Sequence, residues 1–367
     1  MRKKLKDVCM FYSGTGFPIQ YQGQTKGEYP FYKVGDIANN AIAGKIYLEL
    51  CNNYISSDVA KMIKGCILPK DTVVFAKIGE ALKLNRRAIT SCDCLIDNNA
   101  MGIAPKLDSL RIQYFYFCMK NLKMQTLAES TTVPSVRKTV LEKYEIEVPS
   151  LVEQEEIEKK LTLTQKIIEK RRQELSYLDE IIKARFVEMF GDPVKNPKGW
   201  EVVTIGDIVT EVRYGTSKPA VEGGKYPYLR MNNLTADGHL DLNDLKYIDI
   251  PDDEIEKCVV RKGDILFNRT NSIELVGKTA VFDLPEDMVI AGYIIRVRLN
   301  ERILPEVFSQ YMNLEALKDI LRSMAKGAVN QANINAQELQ SIKVYIPDMG
   351  LQKQFIEMKE QVDKSKV

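Results

Sequence analysis

The sequence predicts an α+β protein in which two pseudo-symmetric globular domains are separated by a long helical, coiled-coil spacer. Three observations support this prediction. Motifs of the first 148 residues recur in the same order 192 to 200 positions later. A stretch almost free of glycine and proline separates the two copies and carries apolar residues at heptad spacing. Each copy mixes alternating strand patterns with helical ones.

The repeat consists of four pairs of aligned segments. They are, in order, 5–8 with 205–208, 28–37 with 225–234, 68–77 with 260–269, and 141–154 with 339–352. Because four segments keep their order, we interpret the chain as a duplicated domain with a few loop insertions. The expected parts are a first domain at 1–148, a central helix at 149–192, a second domain at 193–347 and a terminal helix at 348–367.

Each copy is expected to combine a strongly curved sheet with one helical stretch. Thr72–Phe75 and Ile342–Ile346 alternate as strands do, between glycine and asparagine residues that are typical of turns. The helical stretches are Ile112–Leu127 in the first copy and Pro305–Met324 in the second.

The central helix is expected to span Leu151–Phe190 and to pack as an imperfect coiled coil. Its apolar seam comprises Leu161, Ile168, Leu175, Leu178, Ile182 and Met189. The interruptions of the seam are Thr164, Arg171 and Arg185. Some 38 residues predict a rod of roughly 60 Å, and Gly191 followed by Pro193 ends it.

A shorter apolar stripe follows the second copy. It comprises Leu351, Phe355, Met358 and Val362. The repeat makes this helix, of about 14 residues, the equivalent of the central one. We expect the two helices to pack antiparallel and to relate the globular copies by an approximate two-fold axis. The alternative is a pair of unrelated surface helices.

The composition is typical of a soluble globular protein. The chain has 367 residues, of which 45% are hydrophobic and 28% charged, and is long enough for two domains. No apolar run reaches the roughly 18 residues of a membrane helix. Val8–Tyr12, after a basic start, is too short for a signal-peptide core. We therefore expect a cytoplasmic location.

Charge is distributed unevenly between the copies. Residues 1–148 contain 21 Lys and Arg against 14 Asp and Glu, a net +7. Residues 191–346 contain 19 against 23, a net −4. If both copies bind a polyanion, the first can rely on its overall field, whereas the second must use local basic patches.

Metal binding through cysteine is not expected. The seven cysteines follow no regular spacing, Cys92 and Cys94 form a single C-x-C pair, and His239 is the only histidine. A zinc site needs four ligands at characteristic spacing. We therefore expect free, reduced cysteines that pack as small apolar side chains.

Catalysis within this chain is not expected either. The Gly277-Lys-Thr279 triplet lacks the glycine that a phosphate-binding loop has five residues earlier, because Ser272 stands there. Asn196–Gly199 lacks the Asn/Asp-Pro-Pro-aromatic pattern of an adenine methyltransferase. We interpret the acidic cluster Asp252–Glu256 as a solvated loop rather than a metal site.

Two similar modules on a rigid spacer suit a partner with two separated sites, such as duplex DNA. Arg reads guanine edges, Asn reads adenine, and Ser and Thr are generic donors. Candidate DNA contacts in the first copy are Thr15, Lys33, Lys77, Lys83, Asn85, Arg86 and Arg87. Those in the second copy are Tyr214, Thr216, Ser217, Lys218, Arg230, Asn232, Asn268, Arg269, Thr270, Asn271, Lys278, Asn330 and Gln331. Different polar residues on one scaffold would let the copies read different sequences.

Several of these residues also fit a structural role. An alternative for Arg269 is a surface strand residue without a DNA role. Asn333 or Asn335 is equally suited to cap the helix that follows. A structural role is the alternative for Arg230 and Asn232, and plain solvation for Lys77, Arg86 and Arg87.

Three segments carry a family resemblance: Phe190–Trp200, Lys262–Arg269, and the ending from Pro347 to Gln352. Together with the two-module plan, they make the whole chain similar to the DNA specificity (S) subunits of type I restriction–modification systems. The resemblance implies that each globular copy is a target-recognition domain that reads one half of a split, double-stranded DNA sequence. It also implies that Asn268–Ser272 faces the DNA and that Gly277–Thr279 begins a returning strand.

The resemblance implies partners as well. The helices would set the gap between half-sites and dock two methyltransferase (M) subunits, which bind S-adenosylmethionine and methylate adenine N6. Restriction/motor (R) subunits that use ATP and Mg would join for cleavage, and no cofactor is expected in this chain. The short final helix departs from the family pattern. The alternatives are an assembly scaffold without sequence-specific DNA recognition and a stand-alone nuclease or ATPase.

Overall fold

The computed structural model describes residues 1–49, 51–128, 133–328 and 331–366. The chain divides into two compact units, Met1–Lys170 and Arg171–Val367, and the division falls inside one long helix. This helix covers Leu151–Phe190, as the heptad pattern predicts. Across the described part of the chain, no helix combines the length and the apolar character that crossing a membrane requires.

The first unit alternates short strands and short helices before the long helix. Its strands are β1 (Arg2–Lys4), β2 (Cys9–Ser13), β3 (Tyr29–Tyr32), β4 (Tyr47–Leu48), β5 (Tyr54–Ile55), β6 (Val73–Ala76), β7 (Arg87–Thr90), β8 (Leu95–Ile96), β9 (Ala100–Pro105) and β10 (Glu145–Glu147). Its helices are α1 (Leu5–Val8), α2 (Val34–Ile42), α3 (Ser57–Met62), α4 (Glu80–Lys83), α5 (Ile112–Asn121) and α6 (Lys138–Lys143), followed by α7 (Leu151–Phe190).

The second unit repeats this alternation after α7. Its strands are β11 (Glu201–Thr204), β12 (Val209–Tyr214), β13 (Tyr226–Leu229), β14 (Lys246–Ile248), β15 (Val259–Val260), β16 (Ile265–Asn268), β17 (Thr270–Asn271), β18 (Thr279–Val281), β19 (Met288–Ile290), β20 (Ile294–Leu299), β21 (Lys326–Ala328), β22 (Gln331–Asn333) and β23 (Lys343–Ile346). Its helices are α8 (Asp252–Cys258), α9 (Pro305–Met312), α10 (Glu315–Met324), α11 (Ala336–Gln340) and α12 (Met349–Lys364).

Sheet topology confirms the duplication. The main sheet has the order β2-β9-β6-β7-β4 in the first unit and β12-β20-β16-β18 in the second. A second sheet has the order β5-β3-β8 in the first unit and β14-β13-β19-β15 in the second, with β3 parallel to β8 and β13 parallel to β19. The pair β1-β10 corresponds to β11-β23. The same connections therefore recur in the same order.

The helical predictions need correction at their ends. The helix predicted at Ile112–Leu127 ends at Asn121, and Met124–Leu127 forms a separate 3-10 turn. The helix predicted at Pro305–Met324 is two helices, interrupted after Met312. At the interruption, Asn313 Nδ2 donates to the carbonyls of Thr279 and Ser309, which competes with continued helix formation. The prediction of one helical stretch per copy is also wrong, because each unit has several short helices.

The second half of α7 packs against α12 in the second unit. The Phe355 ring lies 5.3 Å from Phe186 and 5.5 Å from Phe190, and all three side chains are fully buried. Farther along, Lys366 Nζ lies 2.6 Å from an Asp179 carboxylate oxygen. Because residue numbers rise along α12 as they fall along α7, the two helices are antiparallel, as predicted. The two-fold axis stays a prediction.

The apolar seam is buried only in part. Ile182 and Phe355 are buried, and Met189, Leu351, Met358 and Val362 are partly buried against the same core. Leu175 and Leu178 are half-buried. Leu161 and Ile168 are 37% and 47% exposed, and their place in a coiled-coil seam stays a prediction.

The segment after α7 ends the helix and is fixed by hydrogen bonds to its last carbonyls. Trp200 Nε1 donates to the Phe190 carbonyl at 2.8 Å, and the Tyr345 hydroxyl donates to the Gly191 carbonyl at 2.9 Å. Gly191 has a φ of 89°, a left-handed conformation that favours glycine at a helix C-terminus. The Phe190–Trp200 motif is therefore structural in this unit.

Candidate nucleic-acid interface

Lys77 and Arg269 occupy the same backbone position in the two units. Each follows the central strand of its main sheet, β6 or β16, directly. The Lys77 N–H donates to the Asn99 carbonyl at 2.8 Å, and the Arg269 N–H donates to the Tyr293 carbonyl at 3.0 Å. This shared frame confirms the alignment of Lys77 with Arg269.

Arg269 stacks on Tyr214. The guanidinium carbon lies 5.0 Å from the ring centroid, a cation–π arrangement. The Tyr214 hydroxyl accepts the Ala336 N–H at 2.8 Å, which fixes the ring. Arg269 Nη1 donates to the Gly292 carbonyl at 3.4 Å, and Nε has no hydrogen-bond partner among the described residues. The guanidinium is thus held against the Tyr214 ring, with its Nε buried.

The loops around Thr15 and Thr216 are also built alike. The Thr15 N–H donates to the Ile96 carbonyl and the Thr216 N–H to the Ile290 carbonyl, each at 2.9 Å. The glycine before each threonine permits this close approach: a Cβ on Gly14 or Gly215 would lie 1.7 or 2.2 Å from a backbone oxygen. These loops are therefore pinned to the sheets.

Three candidates in the second unit are structural. Asn268, Thr270 and Lys278 are 0%, 6% and 7% exposed. Asn268 Nδ2 donates to two backbone carbonyls, Thr270 Oγ1 donates to Asn333 Oδ1 at 2.8 Å, and Lys278 Nζ donates to two further carbonyls. Burial lowers the pKa of Lys278. DNA contact does not fit these residues, because their polar atoms are used inside the unit.

The same correction applies to Asn85 and Arg87 in the first unit. Arg87 is 2% exposed, and its guanidinium donates to the carbonyls of Asn85 and Leu122. Burial lowers the pKa of Arg87 to about 10. Asn85 Oδ1 accepts from Arg87 and from the Met124 N–H. Both side chains therefore join the returning strand to the helical segment beside it.

Several basic candidates have weak partners at the surface. Exposed ion pairs contribute little, so a phosphate can displace the acidic partner at small cost. The ion pairs are Lys83 with Glu80 at 2.7 Å, Lys218 with Glu254 at 2.8 Å, and Arg230 with Asp244 at 2.7 Å. Lys33 instead donates to the neutral Gln22 amide oxygen at 2.6 Å.

The remaining candidates keep an accessible side chain. The half-buried ones are Thr15, Lys77, Arg86, Thr216 and Asn271. The exposed ones are Tyr214, Ser217, Asn232 and Gln331. Asn330 lies outside the described residues.

The repeat frame adds two residues that the motif search missed. Tyr293 is 50% exposed, and Asn99 is exposed at the equivalent position beside Lys77. The signal was present in the sequence, because Ile96–Ala100 aligns with Ile290–Ile294 at an offset of 194.

The structure shows that Asn335 caps the helix that follows it. Its side-chain oxygen accepts the N–H groups of Gln337 and Glu338, each at 2.9 Å, and Glu338 bonds back to the Asn335 N–H. This is a capping box at the start of α11. Asn335 is therefore the helix cap.

The acidic cluster is a helix, not the loop that was expected. Asp252–Cys258 forms α8 and has three acidic residues in its first turn. Their negative charges interact favourably with the positive N-terminal end of the helix dipole. Glu256 lies 2.5 Å from Arg261, which lowers the pKa of that carboxyl. Among the described residues, no group of three potential ligands is placed to hold a metal ion. All seven cysteines are free.

A protein-family comparison matches both halves of the chain. The model of the type I restriction modification DNA specificity domain matches residues 1–177 and again residues 197–367. Because the same family model matches twice, this comparison supports the duplication independently of the sheet order.

Individual relatives share low sequence identity with this chain and match only part of it. The EcoKI specificity subunit of a type I restriction enzyme, from Escherichia coli K12, is 24% identical over 256 residues, 65% of this chain and 55% of that protein. The putative MjaX specificity subunit of Methanocaldococcus jannaschii is 32% identical over 163 residues, 43% of this chain and 38% of that protein. The chain thus spans about half the length of these relatives or less. A solved chain of a type I R-M system shares the fold, with a TM-score of 0.53, 16% identity, and coverage of 100% of this chain and 90% of that one.

Proposed function

Because the chain belongs to the family of type I restriction modification DNA specificity domains, we propose that it is the DNA-reading subunit of a type I restriction–modification complex. Each repeat contacts one half of a bipartite double-stranded target. One observation supports this above the others. The same backbone frame carries Lys77 beside Asn99 in one unit and Arg269 beside Tyr293 in the other. A common scaffold with different polar residues suits the reading of two different half-sites.

The side chains divide by the contact that they suit. Arg269, fixed on Tyr214, is the candidate for a guanine edge in the second half-site. Further candidates for base or sugar contacts are the exposed Ser217, Asn232 and Gln331 and the half-buried Asn271. The surface cations suit phosphate, which positions the protein but carries no sequence information: Lys33, Lys83, Arg86, Lys218 and Arg230.

The chain is proposed to be non-catalytic and to work in the cytoplasm with partner subunits. Two methyltransferase subunits dock on α7 and α12, bind S-adenosylmethionine and methylate adenine N6 in each half-site. Restriction/motor subunits supply the ATP- and Mg-dependent cleavage. In this arrangement the residues of this chain bind and orient DNA, and the chemistry belongs to the partners.

Adenine-methylation mapping of host DNA, with and without this gene, tests the proposal. We expect one split motif with a fixed gap to lose its methylation on deletion and to regain it on complementation. If methylation is unchanged, and co-expressed methyltransferase subunits bind the chain without binding any motif, an assembly scaffold replaces the DNA reader.

A further inference from the structure

Lys318 is a buried lysine without a carboxylate partner. It lies on α10, is 8% exposed, and its Nζ donates to the Gly277 carbonyl at 2.6 Å. The charged groups around it are Glu315 and Arg322 on the same helix and Lys278 on the facing segment. Glu315 is held by Arg322 at 2.5 Å. Within the described ranges, no ion pair therefore compensates the Lys318 ammonium.

The burial of this ammonium is unfavourable for folding. Removing an unpaired charge from water costs free energy, and burial lowers the pKa of Lys318 to about 7. A methionine of similar length would fill the same space without that cost. Nor does the Gly277 carbonyl depend on Lys318 alone, because Thr279 Oγ1 also donates to it at 3.1 Å. The stability of the unit therefore does not explain a lysine here.

The atom that Lys318 holds lies at the base of a loop. The Gly277 N–H donates to the Asn268 carbonyl at 2.9 Å, and the Asn268 N–H donates to the Lys278 carbonyl at 2.8 Å. These bonds close the loop of residues 269–276, whose first residue is Arg269. A shift of the Gly277 carbonyl would therefore change the direction in which Arg269 leaves the sheet.

The first unit has a comparable arrangement. Arg87, at the start of the returning strand β7, is buried without a carboxylate partner among the described residues. Its guanidinium donates to the Leu122 carbonyl at 2.7 Å and to the Asn85 carbonyl at 2.5 Å. A buried cation bonded to a backbone carbonyl next to the returning strand thus occurs in both repeats.

We propose that Lys318 is a positioning residue for DNA recognition, because its buried ammonium fixes the base of the 269–276 loop and so orients Arg269. The inference rests on the proposed function, since it assigns Lys318 a part in presenting Arg269 to DNA. Phosphate groups near this loop also favour the protonated ammonium. DNA binding is therefore accompanied by proton uptake at Lys318.

The test uses the full chain in complex with its methyltransferase subunits. One duplex carries the motif that methylation mapping assigns to the complex, and a second duplex has the half-site read by residues 193–347 scrambled. Lys318→Met removes the charge, and Lys318→Arg keeps a cation with donors. We expect Lys318→Met to weaken specific binding by about tenfold or more, the loss of a charge-assisted hydrogen bond. Lys318→Arg should restore most of it.

A pH profile separates positioning from a general structural role. The specific affinity of the wild-type complex should fall as the pH rises from about 6 to about 8, because the neutral amine predominates at the upper end. The Lys318→Arg complex should lack this component. His239→Gln is the control for histidine, which ordinarily titrates in this range, and it should keep the wild-type profile.

The outcomes distinguish failure of the inference about Lys318 from failure of the proposed function. Equal specific affinity of the wild-type and Lys318→Met complexes, or a Lys318→Arg profile identical to the wild-type profile, overturns the inference while leaving the proposed function standing. A wild-type complex that does not distinguish the two duplexes overturns both. If Lys318→Met does not fold, the comparison of the wild-type and Lys318→Arg profiles is decisive.

Discussion

Gln352 makes in the second unit the same three hydrogen bonds that Gln154 makes in the first. Each amide is fully buried. Each Nε2 donates at 2.9 Å to the carbonyl of a proline five residues earlier and at 2.9 or 3.1 Å to a loop carbonyl. Each Oε1 accepts a backbone N–H at 2.9 Å from Arg111 or Leu304. The glutamine five residues after the proline is therefore a clamp that joins the start of α7 or α12 to the loop before α5 or α9.

Gln352→Leu should lower the free energy of unfolding of the second unit by about 3 kcal/mol, because three buried backbone groups lose their partner. Urea unfolding followed by the fluorescence of Trp200, the only tryptophan, measures this loss. Gln173→Leu, at an exposed position of α7, is the matched control and should change stability by less than about 0.5 kcal/mol. Equal stability of the two variants would contradict the clamp.

Phe355→Ala should destabilise the second unit by about 3 to 5 kcal/mol, because it leaves a cavity beside Phe186 and Phe190. Leu161→Ala removes an exposed side chain from the same apolar seam and should cost less than about 0.5 kcal/mol. Thermal unfolding of both variants checks the contrast. A large loss for Leu161→Ala would mean that the first half of α7 is packed in the isolated chain.

Arg269→Ala should weaken binding of the complex to its own motif by about 1 to 3 kcal/mol and relax specificity in one half-site. Thermal stability should fall far less than specific binding, because the Arg269 side chain makes, among the described residues, one hydrogen bond at 3.4 Å and a stacking contact with Tyr214. Competition binding against duplexes with single base changes measures both effects. Lys262→Ala, at an exposed turn residue, is the control. Uniform weakening across all sequences would instead assign Arg269 to phosphate.

Stability should depend on pH through Lys318. Its pKa is lowered to about 7 in the folded chain, against about 10.4 in an unfolded one. Between these values the unfolded state binds more protons, so stability rises with pH, by up to about 1.4 kcal/mol per pH unit. Lys318→Met should lack this rise and be the more stable protein at pH 7. Urea unfolding of both proteins from pH 7 to about pH 10 tests this, and parallel curves would contradict it.

Much of the architecture was predictable from patterns in the sequence. The ends of α7 at Leu151 and Phe190 were predictable, because this stretch is almost free of glycine and proline and is followed by Gly191 and Pro193. The repeat predicted the equivalence of Lys77 and Arg269, which the backbone bonds confirm. The break after Met312 was not predictable, because it depends on an Asn313 bond to a residue 34 positions away.

The candidate site was predictable by position but not by side-chain exposure. Asn268 lies in the polar run 268–272, and Lys278 aligns with Arg86 in the repeat, yet both are buried. Whether a polar side chain faces solvent or a carbonyl depends on tertiary contacts that the local pattern does not contain. Tyr293 was missed for the opposite reason, because an aromatic residue next to a strand is usually assigned to the core.

Exchange of residues 1–148 for those of a relative with a different target tests the central claim most directly. Methylated-adenine mapping of cells that carry the exchanged chain with the same methyltransferase subunits should show one changed half-site, one unchanged half-site and the original gap. A motif that changes in both halves, or one that stays the same, would contradict the account of two independent DNA-reading repeats.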